Sequence, residues 1–188
     1  VSANAFGSGA GSTVTIATTK DGGTISDADT ASNVVVDIVG TTVKLDSQSD
    51  IGVTGAGRGL DISATTLDIG TTAGDTATGV SGKIFIQELS TTGTKLTVDT
   101  ADVGTTAGLI QITSLGNLTI DAVTSGGTTK TNLVTLATAA TGGTILDFAD
   151  TNNVDVDILG STVTLNSQGD MGHTDTGKGL DISAAVLD

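Results

Sequence analysis

Residues 59–64 read GLDISA, and the same six letters return at residues 179–184. Extending the match outward from this hexamer decides the fold. Thr24 to Asp68 aligns with Thr144 to Asp188 without a gap at an offset of 120, and 26 of the 45 positions are identical. Upstream, VTIAT at Val14 to Thr18 faces VTLAT at Val134 to Thr138. A fixed self-similarity of this kind is the mark of a repeat architecture. The 188-residue chain then divides into residues 1–120, one full repeat, and residues 121–188, a partial second repeat of the same continuous structure.

A shorter period lies inside the long one. Apolar-x-apolar triplets occur at Val14–Ile16, Val36–Ile38, Leu60–Ile62, Ile84–Ile86, Ile110–Ile112, Val134–Leu136, Val156–Ile158 and Leu180–Ile182. Their steps are 22, 24, 24, 26, 24, 22 and 24 residues, so five steps fill one 120-residue period. Each triplet alternates as a half-buried strand does. Many are followed by a second one, as at Val43-Lys44-Leu45, Leu67-Asp68-Ile69, Leu118-Thr119-Ile120 and Val163-Thr164-Leu165. Gly, Asn, Asp, Ser and Thr fill the spaces between, which are turn residues.

Short strands recurring at a coil-length period predict an all-β parallel β-solenoid of about eight coils of ~24 residues with a 120-residue super-repeat. Coils stacked ~4.8 Å apart would advance roughly 24 Å per repeat of five. The predicted inward set is Ile16, Val36, Ile38, Leu60, Ile62, Ile84, Ile86, Ile110, Ile112, Val134, Val156, Ile158, Leu180 and Ile182. The absence of proline fits, because each coil must donate its N–H groups to the next. A pair of β-sandwich domains would account for the long period but not for the short one, and such domains usually use a buried aromatic anchor.

Composition narrows the function classes. There is no Cys, so a disulfide scaffold and a thiolate site are excluded. Three Phe are the only aromatic residues, which leaves little to stack on a base or a sugar. The formal charge of −14 repels polyphosphate. No stretch approaches the roughly 18 apolar residues of a membrane-spanning helix.

The stretch GLIQITSLGNLTI at Gly108 to Ile120 resembles a coil of the large repetitive bacterial exoproteins, the filamentous-haemagglutinin-like adhesins and autotransporter passengers. GTTVKLDSQSD at Gly40 to Asp50 and GSTVTLNSQGD at Gly160 to Asp170 are similar in style. The resemblance implies a right-handed parallel β-helix, secretion, and a role in adhesion or a surface fibre. It carries over no catalytic residues. The strict super-repeat departs from the looser coils of those adhesins and favours a regular fibre.

Among polar residues, Asp37 and Asp61 sit at the centres of consecutive triplets, and Asp157 and Asp181 repeat the arrangement. On a single column these four would point outward as stacked pairs. Like charges at strand spacing repel and can recruit a counter-ion. They are the candidate metal ligands, for calcium, against the plainer reading of a solvated acidic face. Asp27, Asp29 and Asn33 faintly resemble a calcium loop, but the second copy, Asp147 to Asn153, does not keep the spacing. Arg58 and Lys178 occupy equivalent corners and read as counter-charges to Asp61 and Asp181. His173, the sole histidine, has Val53 as its counterpart and no evident partners. Threonine is abundant, yet the central triplet column mixes Thr, Asp, Phe and Gln, so no uniform ladder is expected there.

No catalytic or cofactor-binding residue is singled out. A polysaccharide lyase needs a basic group beside its carboxylates, and one Arg with six Lys makes a poor supply. The reading is a non-enzymatic structural segment of a long extracellular repeat protein, forming a cell-surface fibre or adhesin stalk. The competing classes are a β-helix carbohydrate-active enzyme and a multivalent glycan-binding module. Neither terminus carries a charged or helical cap. The expected partners are further coils of the same chain, or identical subunits stacked head to tail.

Overall fold

The structure is a computed structural model and describes residues 5–6, 11–19, 22–27, 35–52, 59–70, 82–90, 95–103, 108–125, 132–148, 155–172 and 179–188. The described elements are all strands: β1 (Ala5–Phe6), β2 (Thr13–Ala17), β3 (Ile38–Val39), β4 (Thr42–Asp46), β5 (Leu60–Ser63), β6 (Thr66–Ile69), β7 (Lys83–Glu88), β8 (Lys95–Asp102), β9 (Leu109–Ser114), β10 (Asn117–Ile120), β11 (Val123–Thr124), β12 (Leu133–Thr138), β13 (Ile145–Asp147), β14 (Ile158–Leu159), β15 (Thr162–Asn166), β16 (Ile182–Ser183) and β17 (Val186–Leu187). Every strand pairing is parallel. The chain is a β-solenoid, as its short period predicts.

Two sheets form its faces. The first runs β1-β3-β5-β7-β9-β12-β15-β17, and the second runs β2-β4-β6-β8-β11-β14-β16, with β10 and β13 extending β8 alongside. Each coil crosses from one sheet to the other. The apolar side chains stack rung on rung between them. On the first sheet, Ile25, Ile51, Ile84, Ile110, Val134, Val163 and Leu187 lie in register. On the second, Ile16, Leu45, Ile69, Ala101, Val123, Ile158 and Ile182 do the same. Alternation explains the choice. In β4, Val43 and Leu45 are buried while Lys44 between them is exposed. The buried residues make one core cluster reaching from Ile25 to Val163.

Not every core column is apolar. The column Ile38, Ile62 continues as Glu88, Ser114 and Thr138, all buried. These groups satisfy one another and nearby turns. The Ser114 hydroxyl donates to Glu88 Oε2 at 2.9 Å, and the Ser90 N–H donates to Oε1 at 2.6 Å. Thr138 Oγ1 donates to the Gly143 carbonyl at 2.9 Å. A buried polar group held by such bonds costs far less than one left without partners.

The winding number corrects the expectation of five coils per repeat. Val14–Ile16 lies in the second sheet, whereas the triplets from Val36–Ile38 to Val134–Leu136 lie in the first. Val156–Ile158 and Leu180–Ile182 lie in the second again. The triplets are therefore not one column. From β2 to its repeat equivalent β12 the chain makes nine successive half-turns, visiting second and first sheets alternately. The 120-residue repeat thus winds four and a half turns, about 27 residues per turn, and the chain makes fewer turns than the eight expected.

The core prediction holds for Ile38, Leu60, Ile62, Ile84, Ile86, Ile110, Ile112, Val134 and Ile158, all buried. Ile16, Val36, Leu180 and Ile182 are half-buried. Ile16 and Ile182 lie on strands with only one neighbouring coil. Val156 is 49% exposed, because β14 begins only at Ile158 and Val156 lies in the approach to it. Phe85 occupies a middle position that alternation assigns to the outside, yet it is buried.

Candidate functional site

The paired aspartates are brought together as adjacent rungs, but not as an outward acidic face. Ile38 pairs with Ile62, which sets Asp37 beside Asp61. Asp37 donates its N–H to the Asp61 carbonyl at 2.8 Å, and the Asp61 N–H donates to Asp37 Oδ2 at 3.0 Å. The second copy repeats both bonds. Asp157 N–H reaches the Asp181 carbonyl at 2.9 Å, and Asp181 N–H reaches Asp157 Oδ2 at 2.7 Å. The first aspartate of each pair is therefore a backbone acceptor for the next coil. It satisfies an amide where the strand ladder starts, as a buried N–H requires.

The second aspartate of the pair differs between copies. Asp61 is 1% exposed and lies opposite Gln87 of the following coil. Its Oδ1 is buried and has no hydrogen-bond partner. Burial, then the charges of Asp37 and Asp27, push its pKa up to about 7. Asp157 is buried, and Asp37 and Asp181 are half-buried. The expectation of four outward-stacked carboxylates is thus corrected. Asp37 and Asp61 lie in the first sheet, while Asp157 and Asp181 lie in the second.

Such a pair is chemically able to take up a proton or to share a cation. Among the described residues, no group of three or more His, Cys, Asp or Glu is placed to hold a metal ion. Asp29, Asn33, Arg58, Asp150 to Asn153, His173 and Lys178 lie outside the described residues. The counter-charge and histidine readings fall there.

A second repeated feature is a polar corner that alternation could not reveal. Ser47 Oγ donates to the Gly23 carbonyl at 2.8 Å, and the Gln48 N–H donates to Thr18 Oγ1 at 2.9 Å. In the second copy Ser167 donates to Gly143 at 2.8 Å and Gln168 to Thr138 at 3.0 Å. The recurring Ser-Gln-x-Asp signature is thus a bracket between successive turns.

Sequence reasoning missed a threonine ladder. Thr13, Thr42, Thr66, Thr97 and Thr119 are register partners on the second sheet. Their spacings of 29, 24, 31 and 22 residues are too uneven to be seen without the pairings. The neighbouring row carries Lys44 and Asp68, joined by a salt bridge of 2.7 Å. One row repeats in one dimension only, so it does not match a two-dimensional ice lattice. In the second copy Thr13 and Thr66 become Leu133 and Val186.

Among the described residues no helix is long and apolar enough to cross a membrane. Comparison of the chain with protein-family models, with curated proteins and with solved structures found no match in any of the three.

Proposed function

We propose that this chain is a structural segment of an extracellular repeat protein that builds a cell-surface fibre or adhesin stalk. The observation that supports it is the parallel ladder, eight strands deep on one face, in which β1 and β17 each pair on one side only among the described residues. Open edges are templates for further strands. On this reading the partners are more coils of the same polypeptide or identical subunits stacked head to tail. Head-to-tail stacking keeps every pairing parallel and sets first sheet on first and second on second. Val186 and Leu187, 54% and 59% exposed, are the apolar surface such a neighbour would cover.

Outside a cell, calcium is the cation that the Asp37–Asp61 and Asp157–Asp181 pairs would attract, weakly and without a tight site. Thermal unfolding with calcium and with chelator tests this, and identical midpoints remove calcium from the reading. The structural reading is tested by concentration-dependent sedimentation and electron microscopy of the purified chain. Filaments or end-to-end oligomers support it. A chain that stays monomeric at high concentration overturns self-stacking. Turnover in a polysaccharide hydrolase and lyase screen replaces the structural reading with a carbohydrate-active one.

A further inference from the structure

The half-turn left over in each repeat has a consequence for what an array of such repeats displays. In the first copy, strands equivalent to β12 and β15 are β2 and β4, and they lie in the second sheet. In the second copy, β12 and β15 lie in the first sheet. Conversely β3 and β5 lie in the first sheet, and their equivalents β14 and β16 lie in the second. Local contacts survive the exchange. The Thr13↔Thr42 register returns as Leu133↔Thr162, and Ile38↔Ile62 returns as Ile158↔Ile182. The polar corner also returns bond for bond, between Ser47 and Gly23 and between Ser167 and Gly143. It leads from the second sheet into Ile51, which bridges to Ile84 of the first, whereas its copy leads from the first sheet into Met171, which bridges to Ile145 of the second.

One coil makes the exchange sterically workable. In the first copy, one turn gives the first sheet two separate contacts, Ile51 and Leu60, while β4 on the second sheet is one strand. In the second copy one turn gives the second sheet two contacts, Met171 and β16, while β15 on the first sheet is one strand. β7 and β8 are each one longer strand, one on either face. β7 accepts Ile51 and Leu60 side by side, at Ile84 and Ile86. β8 carries both β10 and β11. This coil is the adaptor between a split first face and a split second face.

We infer that successive repeats are related by a two-fold screw along the solenoid axis, so that an array presents each surface element alternately on opposite sides and is a two-sided scaffold. The inference rests on the fibre reading for its array, and on the register alone for the screw. The axial period of such an array is two repeats, 240 residues and nine turns, or about 43 Å at ~4.8 Å per turn. A partner that recognises one repeat is then held on both flanks, and one fibre bridges two surfaces. Side chains at equivalent positions, such as Thr15 and Thr135, face outward from opposite sheets.

The chain has no cysteine, so engineered pairs report without interference. Thr135→Cys with Thr164→Cys joins register partners, as does Thr15→Cys with Lys44→Cys. Thr135→Cys with Asp157→Cys, and Thr15→Cys with Asp37→Cys, would be neighbours only if the triplets formed one column, five turns to a repeat. Mild oxidation is expected to link the first two pairs and neither of the others, given the short Cα separation a disulfide demands. Linking of the second set, or of no pair at all, overturns the half-turn. Spin labels at Thr15→Cys and Thr135→Cys are expected to lie well beyond the ~22 Å axial advance of four and a half turns, because they also span the solenoid. A distance near that axial value overturns the screw. In filaments, gold labels at Gln48→Cys and Gln168→Cys are expected on opposite flanks. Filaments labelled on one flank overturn the screw and leave the fibre intact. Failure to form filaments overturns the fibre reading while the spin-label distance still decides the screw.

Discussion

The coil of residues 59–69 and its copy at residues 179–188 share the letters GLDISA but live in different surroundings. Leu67 is wholly buried, while its equivalent Leu187 is 59% exposed. Asp61 is buried, while Asp181 is half-buried. The first coil lies between β3–β4 and β7–β8, whereas β16 and β17 each have one neighbour. In a solenoid burial is supplied by the next turn, not by the residue's own strand. Two stretches of nearly the same sequence therefore differ in burial.

Truncating the equivalent leucines gives the largest contrast. Leu67→Ala is expected to cost about 2–5 kcal/mol, the range for a large-to-small change in a packed core. Leu187→Ala is expected to fall within about 0.5 kcal/mol, as exposed substitutions do. Urea unfolding of both variants measures the difference, and equal losses would mean that Leu187 is covered in solution.

Next in size is an equivalent pair of glycines. Gly52 and Gly172 both have positive φ, at 74° and 92°. A Cβ on Gly52 would run into the Phe85 carbonyl oxygen and lie 3.0 Å from the Phe85 Cβ, while one on Gly172 meets nothing within 4 Å. Both alanine variants carry the backbone strain of a left-handed residue, about 1–2 kcal/mol. Gly52→Ala is expected to lose more, since the coil above must also shift. Matching midpoints in thermal unfolding would remove the steric part of the contrast.

The aspartates sharpen the comparison through pH. Asp61 has a pKa raised from 3.8 to about 7, so between those values the folded chain keeps a proton that the unfolded chain has released. Stability from this group is complete below about pH 4, declines as pH rises toward 7, and is level above that. Asp61→Asn is expected to match wild type in acid and to exceed its melting temperature by a few degrees at pH 8. Parallel melting curves of wild type and variant from pH 3.5 to 8 decide it, and a gain that does not grow between about pH 4 and 7 would separate it from the ionisation of Asp61.

The smallest effect is expected at Lys44. Its ammonium pairs with Asp68, and that hydrogen bond and charge raise its pKa. The pair is exposed, and such pairs contribute little. Lys44→Thr, which installs the residue of the second copy at 164, is expected to leave the melting temperature unchanged at moderate salt.

Most of the fold was legible because a strand's inward positions must be apolar whatever covers them. Val43, Leu45, Leu67 and Ile69 announce themselves by alternation, as do Ile110 and Ile112. The stacking of Asp37 on Asp61 was also legible, since consecutive triplets of one phase lie in register. Their burial was not, nor was the role of Asp37 as an acceptor for a backbone amide. Those depend on the approach of the neighbouring coil. The threonine ladder escaped for the same reason, because its unequal spacings become a row only once the strands are paired, and a register shift between Leu67 and Asp68 follows directly on the Thr66↔Thr97 pair.

What the sequence by itself determined is a stack of short parallel strands with a 120-residue period, since periodicity and turn chemistry are local properties of the chain. What only the tertiary structure decided is how many turns that period fills. A triplet such as Val156–Ile158 pairs with whichever strand the loops before it deliver to its side. Strand alternation is blind to which of two apolar faces it joins, because both faces bury the same Val, Ile and Leu. The half-turn, and with it the exchange of faces between copies, is a property of loop lengths summed around the coil.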